Sequence, residues 1–307
     1  MSEPAVSAGK LTKCFGSFTA VDAIDFAIRA GECFGFLGPN GAGKTSTMRM
    51  IYGFSPVTDG ELNVLGYDVK TEIRSIKCRL GVIPQEDNLD PDLKVLQNLI
   101  VYARYFDIKK AAAVARAHEV LEFVQLWERR EEHIRFLSGG MKRRLTIGRA
   151  LMNEPEILIA DEPTTGLDPQ ARHLVWQKLR QLQSEGVTLV LTTHNMDEAA
   201  HLCDRVAIMD QGKILDIGTP SELIDKYVLP EVVEVRVAVG RMEPLIMKLQ
   251  QLSLEFDAVG DVAYIYARQG GEWETALSSE PGVDRLVRRR ASLEDVFLKL
   301  TGRVLRD

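Results

Sequence analysis

The chain has 307 residues, of which 45% are apolar and 27% charged, and its formal net charge is -6. That balance is an ordinary globular one, with enough length for one large domain and a smaller one, and it argues against a broad basic face for nucleic acid. Cys14, Cys33, Cys78 and Cys203 lack metal or redox spacing and are expected to be reduced packing residues; no signal-like segment and no run of eighteen apolar residues occurs, so any membrane role needs a partner.

In chain order, apolar Ile24, Phe26 and Ile28 alternate with other residues up to Arg29, the period of a half-buried strand in an antiparallel sheet. Before them, Phe15 stands beside Gly16 near a strand end, where an aromatic face can stack on a purine base. Next, Cys33-Phe34-Gly35-Phe36-Leu37 predicts a buried strand and Thr45 to Tyr52 a helix. Between them Gly38-Pro39-Asn40-Gly41-Ala42-Gly43-Lys44-Thr45 fits the phosphate-binding pattern G-x-x-x-x-G-K-[ST] at every fixed position. The glycines let consecutive N–H groups turn inward, and the helix N-terminus adds positive potential. Lys44 then reaches the β- and γ-phosphates, the Thr45 hydroxyl suits Mg²⁺, and Ser46 adds a phosphate contact.

Gly60 to Gly66 predicts a short strand, and Leu80-Gly81-Val82-Ile83 a buried one that ends at Pro84-Gln85, making Gln85 a site candidate. From Asp92 to about Trp127 the spacing is helical, within an inserted lobe of about 87–152. Leu137-Ser138-Gly139-Gly140 opens a basic helix, Met141-Lys142-Arg143-Arg144, whose start is a second anion site; a helix cap followed by solvated basic residues is the plainer alternative. Ile157-Leu158-Ile159-Ala160 predicts a strand that delivers Asp161 to a hydrated Mg²⁺ and Glu162 to a water near the γ-phosphate. A helix covers Gln170 to Ser184, and the strand Thr188 to Thr193 hands off to His194 at the edge where α/β sheets expose their chemistry.

A hairpin at 206–217 and a closing helix to Lys226 follow. Past Leu229-Pro230 the pattern restarts, with strands at 232–239 and 262–267 and helices at 244–252 and 292–300. The expected domains are therefore 1–226 and a small α+β domain at 227–307, in which Arg288-Arg289-Arg290 is most simply a solvated face.

Over residues 6–226 these motifs together resemble the ATP-binding subunits of ABC transporters. Gly38 to Thr45 looks like the Walker A loop and Gln85 like the Q-loop glutamine. Leu137 to Gly140 looks like the signature, Ile157 to Asp161 with Glu162 like Walker B and its catalytic glutamate, Gly166-Leu167-Asp168 like the D-loop, and His194 like the switch histidine. Phe15 stands where tyrosine is more usual and Met141 where glutamine is commoner. The tail from Ser292 to Arg303 resembles the branch that exports drugs, polysaccharides and nodulation factors.

The resemblance implies an α/β P-loop ATPase core, a mixed sheet with antiparallel strands and a helical lobe, plus the small domain. It implies ATP and Mg²⁺ as cofactors, with Lys44, Gln85, Glu162 and His194 in catalysis and Thr45, Gln85 and Asp161 around the metal. Phe15, Gly38 to Ser46, Ser138, Gly139, Gly140 and Asp168 would bind nucleotide. A head-to-tail pair of copies would sandwich two ATP molecules, each signature capping its partner's nucleotide. The chain would sit on the cytoplasmic face of the cell membrane through a separate permease and drive export, without nucleic acid. The alternative is a soluble ABC-type ATPase acting on nucleic acid or the ribosome, which usually carries a long coiled coil or two fused ATPase halves. Here only about fifty residues separate Gln85 from Ser138, and the phosphate loop does not recur.

Overall fold

The computed structural model describes residues 3–229, 231–238, 240–266, 277 and 282–302. Pro230, Val239, Ala267 and Arg303, where the sequence predicted a linker, two strand ends and the end of the tail, lie outside the described residues. Two compact units divide at Ile214/Leu215, earlier than the expected 226/227 boundary.

The elements run β1 (Val6–Phe15), β2 (Phe18–Ile28), β3 (Cys33–Leu37), α1 (Lys44–Ile51), β4 (Asp59–Val64), β5 (Tyr67–Asp68), α2 (Ile73–Cys78), β6 (Leu80–Ile83), α3 (Val95–Ala103), α4 (Lys110–Phe123) and α5 (Gly139–Ala150). They continue with β7 (Ile157–Asp161), α6 (Pro169–Ser184), β8 (Thr188–Thr193), α7 (Met196–Leu202), β9 (Arg205–Asp210), β10 (Lys213–Gly218) and α8 (Pro220–Tyr227). Last come β11 (Glu231–Val237), α9 (Met242–Gln251), β12 (Glu255–Val259), β13 (Val262–Tyr266), β14 (Val283–Arg290) and α10 (Leu293–Thr301).

In the first unit an antiparallel sheet of order β2-β1-β4-β5 accompanies a second sheet in which β9, β3, β8, β7 and β6 follow one another in that order. Neighbours from β9 to β6 in that second sheet are parallel, and every residue of β3, β7 and β8 is buried, which is why these strands read as unbroken apolar runs. Phe26 of β2 and Phe36 of β3 meet edge-on with centroids 5.1 Å apart, tying the two sheets together. Because β3, β6, β7 and β8 run parallel, their carboxyl ends share one edge, and the loops that leave this edge carry the phosphate-binding pattern, Gln85, Glu162 and His194.

The second unit is an antiparallel sheet of order β12-β13-β11-β14. Val233, Val235, Ala263 and Ile265 form a core with Leu245 and Leu249 of α9 and with Leu277, and α8 packs against α10. The sequence missed β12 and β14. The triple-arginine segment lies in β14, where Arg288 and Arg290 are exposed as expected but Arg289 is only partly solvated: it donates to Glu234 at 2.6 Å and to Asp295, only 1% exposed, at 2.6 and 2.7 Å. Of the cysteines, Cys33 and Cys203 are buried but Cys78 is exposed, so it is not the packing residue expected. Among the described residues no helix is long and apolar enough to cross a membrane.

Candidate nucleotide site

The loop between β3 and α1 needs glycine at two positions for steric reasons. Gly43 has φ +100, and a Cβ there would lie 2.5 Å from the Ala20 carbonyl oxygen; one on Gly38 would lie 2.1 Å from that of Met209. Lys44 is 4% exposed and donates from Nζ to the carbonyls of Gly38 at 2.7 Å and Pro39 at 3.0 Å. Burial lowers its pKa from the ordinary lysine value, against the opposing pull of Glu162 and Asp161.

A cavity of about 230 Å³ opens over this loop. It is lined by Phe15, Phe18, Ala20, Asn40, Gly41, Ala42, Gly43, Lys44, Thr45, Ser46, Gln85 and Glu162. The tip of the β1–β2 hairpin supplies two aromatics, since Phe15 and Phe18 are paired in register, 53% and 63% exposed. Lys13 Nζ stands 4.8 Å from the Phe15 ring centroid. Phe18 escaped the sequence reading; an aromatic on each side of a Gly-Ser turn was the available signal.

The acidic strand end is held by threonines. Thr45 Oγ1 donates to Asp161 Oδ1 at 3.2 Å, and Thr192 Oγ1 of β8 donates to Asp161 and accepts from the Glu162 N–H at 3.1 Å. Glu162 is 6% exposed with φ +47, a left-handed backbone that a non-glycine residue rarely adopts. Its Oε2 accepts from Gln85 Nε2 at 3.2 Å and Thr165 Oγ1 at 3.1 Å, and its Oε1 meets His194 Nδ1 at 3.2 Å. Thr45, Gln85, Asp161, Glu162 and His194 are thereby brought into one connected group beside the phosphate loop.

Ser138, Gly139, Gly140 and Asp168 do not line that cavity. Ser138 caps α5, accepting from the Met141 N–H at 3.3 Å, and Asp168 caps α6 through the Ala171 N–H at 2.9 Å; Ser138, Gly139 and Asp168 are all exposed. The basic helix they introduce is not a solvated basic face throughout, because Arg143 and Arg149 are buried.

An anion nest at a helix start, with an aromatic tip on one side and a hydrogen-bonded carboxylate on the other, defines an α/β P-loop nucleotide site. The family model "ABC transporter" matches residues 21–165, and "Nodulation factor export protein NodI, C-terminal domain" matches 243–302. "Nod factor export ATP-binding protein I" of Cupriavidus metallidurans is 46% identical over 295 residues, 96% of each chain. The protein of the same description from Rhizobium meliloti is 42% identical over 99% of this chain and 90% of its own. A solved dimeric ATP-binding cassette, in a post-hydrolysis state bound to ADP and Pi, superposes with TM-score 0.64 at 27% identity, covering 70% of this chain and 98% of that one. The chain belongs to the ABC transporter family, as an ATP-binding subunit that hydrolyses ATP.

Proposed function

We propose that the chain drives export through a separate membrane permease, from the cytoplasmic face, by closing around two ATP molecules as a head-to-tail pair. The observation that carries the export reading is the likeness to export ATP-binding proteins over both units, with the second unit matched by its own export-protein family model. The names of those relatives make Nod factor the first cargo to test.

In this reading the N–H groups of the loop and Lys44 bind the β- and γ-phosphates, releasing Lys44 from the carbonyls of Gly38 and Pro39. Phe15 and Phe18 take the base. The Thr45 hydroxyl and the Asp161 carboxylate are hard oxygen donors 3.2 Å apart, which fits Mg²⁺ completed by water and phosphate oxygens. When bound there, the ion neutralises phosphate charge. Glu162 accepts the proton of the attacking water, oriented by Gln85, Thr165 and His194, and His194 donates to the γ-phosphate. Ser138 and Gly140 of a second copy cap that phosphate, in keeping with the exposure of Ser138, the half-burial of Gly140 and the place of both outside the chain's own cavity. ATP then favours the paired state, and hydrolysis removes that preference.

A second cavity of about 510 Å³ supports the permease contact. Its walls include Phe54 and Tyr105, 71% and 81% exposed, with Tyr52 and Tyr102, and it shares Gln85 with the nucleotide cavity. Gln85 therefore touches both the docking surface and the Glu162 carboxylate. The export reading is tested in Rhizobium meliloti lacking its own relative. This chain should restore Nod factor to the medium and its Glu162→Gln variant should not. A wild-type chain that hydrolyses ATP there but leaves the medium empty refutes the cargo.

A further inference from the structure

Arg143 lies on α5, on the helix that Ser138 caps, yet it is only 5% exposed. Its guanidinium donates to five backbone carbonyls: Nε to Pro163 at 2.7 Å, Nη1 to Pro84 at 2.5 Å and Gln85 at 3.4 Å, and Nη2 to Asp161 at 3.1 Å and Glu162 at 3.0 Å. Burying a guanidinium is costly unless its donors are satisfied, and here the acceptors are supplied by the two loops that leave β6 and β7. Those loops carry Gln85 and Glu162.

The contacts bracket the strained residue. Glu162 holds φ +47, and such backbone persists only where its surroundings fix it; Nη2 grips the carbonyls of Asp161 and Glu162, and Nε that of Pro163. A planar fork of donors can span two loops at once, which a lysine ammonium cannot.

We infer that Arg143 is a positioning residue for hydrolysis, pinning the Glu162 backbone and the Gln85 loop to the signature helix so that the carboxylate faces the attacking water. The signature that caps a second copy's nucleotide is thereby anchored to the hydrolytic glutamate of its own chain. The inference rests on the role proposed above for Glu162.

Hydrolysis rates and nucleotide affinity are measured for Arg143→Gln and Arg143→Lys, each alone and combined with Glu162→Gln. Arg143→Gln should lower kcat about 10²-fold, the effect of displacing a reacting group by roughly 1 Å, while binding of a fluorescent ATP analogue stays unchanged because Arg143 does not touch the phosphate loop. Arg143→Lys should lose a similar factor. In the Glu162→Gln background Arg143→Gln should add almost no further loss, since residues acting through one another are not additive.

A general loosening of the fold predicts the opposite: losses that multiply with those of Glu162→Gln and that extend to nucleotide affinity. Either result, or full activity in Arg143→Lys, overturns the inference while leaving Glu162 in its role. A Glu162→Gln protein that turns over at the wild-type rate overturns both. Should Arg143→Gln not fold, Arg143→Lys, which keeps the buried charge, carries the same comparison.

Discussion

Glu162→Gln separates catalysis from binding because the geometry predicts that the ground state survives it. Glu162 Oε2 accepts two hydrogen bonds, from Gln85 and Thr165, and Oε1 one contact, with His194. A glutamine keeps its oxygen toward the two donors and turns its amide nitrogen to His194, whose Nδ1 can accept in one tautomer. No buried polar atom is stranded, so stability and ATP affinity should hold. What disappears is the carboxylate proposed to take the water's proton, a contribution of about 10²–10⁴ in rate, or roughly 3–5 kcal/mol of barrier. The variant should accumulate as an ATP-bound pair, whereas wild type returns to monomer as it turns over, and adding Ser138→Arg should block the pair by placing bulk in the cap. Size-exclusion chromatography with light scattering, run beside phosphate release, reads both effects. Wild-type hydrolysis by Glu162→Gln, or a monomer in excess ATP, refutes the composite site.

Phe18→Ala should weaken ATP binding by a factor of about 5–150, the 1–3 kcal/mol of a base–aromatic stack, with little effect on a triphosphate that lacks the base. Equal losses for both ligands would assign Phe18 to the hairpin's structure instead. In the second unit, Asp295→Ala removes the bidentate partner of Arg289 and the capping box that Ser292 and Asp295 form at the start of α10. The cost should be about 2–3 kcal/mol of unfolding free energy, below the roughly 3–5 of a fully buried pair because Arg289 keeps Glu234 and is partly solvated. Thermal unfolding measures it, and a variant within about 0.5 kcal/mol of wild type would show the pair to be structurally idle.

The nucleotide site was legible because parallel strands buried on both faces must be apolar throughout, so their ends, where polar residues appear, mark themselves. Lys44, Gln85, Glu162 and His194 all follow such runs. Sequence spacing could not show which residue Glu162 touches, since Gln85, Thr165 and His194 meet it only once β6, β7 and β8 align. The strands β12 and β14 were missed for a related reason. Glu255, Asp257, Arg285 and Arg288 give these segments the composition of solvent-facing loops, and backbone pairing with β13 and β11 makes them strands.

By itself the sequence determined the phosphate loop, the buried strands and the polar residues delivered at their ends, because those depend on local periodicity and on residue types fixed within a few positions. Only the tertiary structure decided the fate of the charges. Arg143 and Arg289 sit among other basic residues and look alike in the chain, yet one is folded inward by carbonyls from two distant loops and the other is held by Glu234 and Asp295. Whether a guanidinium is solvated depends on acceptors that folding brings from elsewhere, and no local pattern records them.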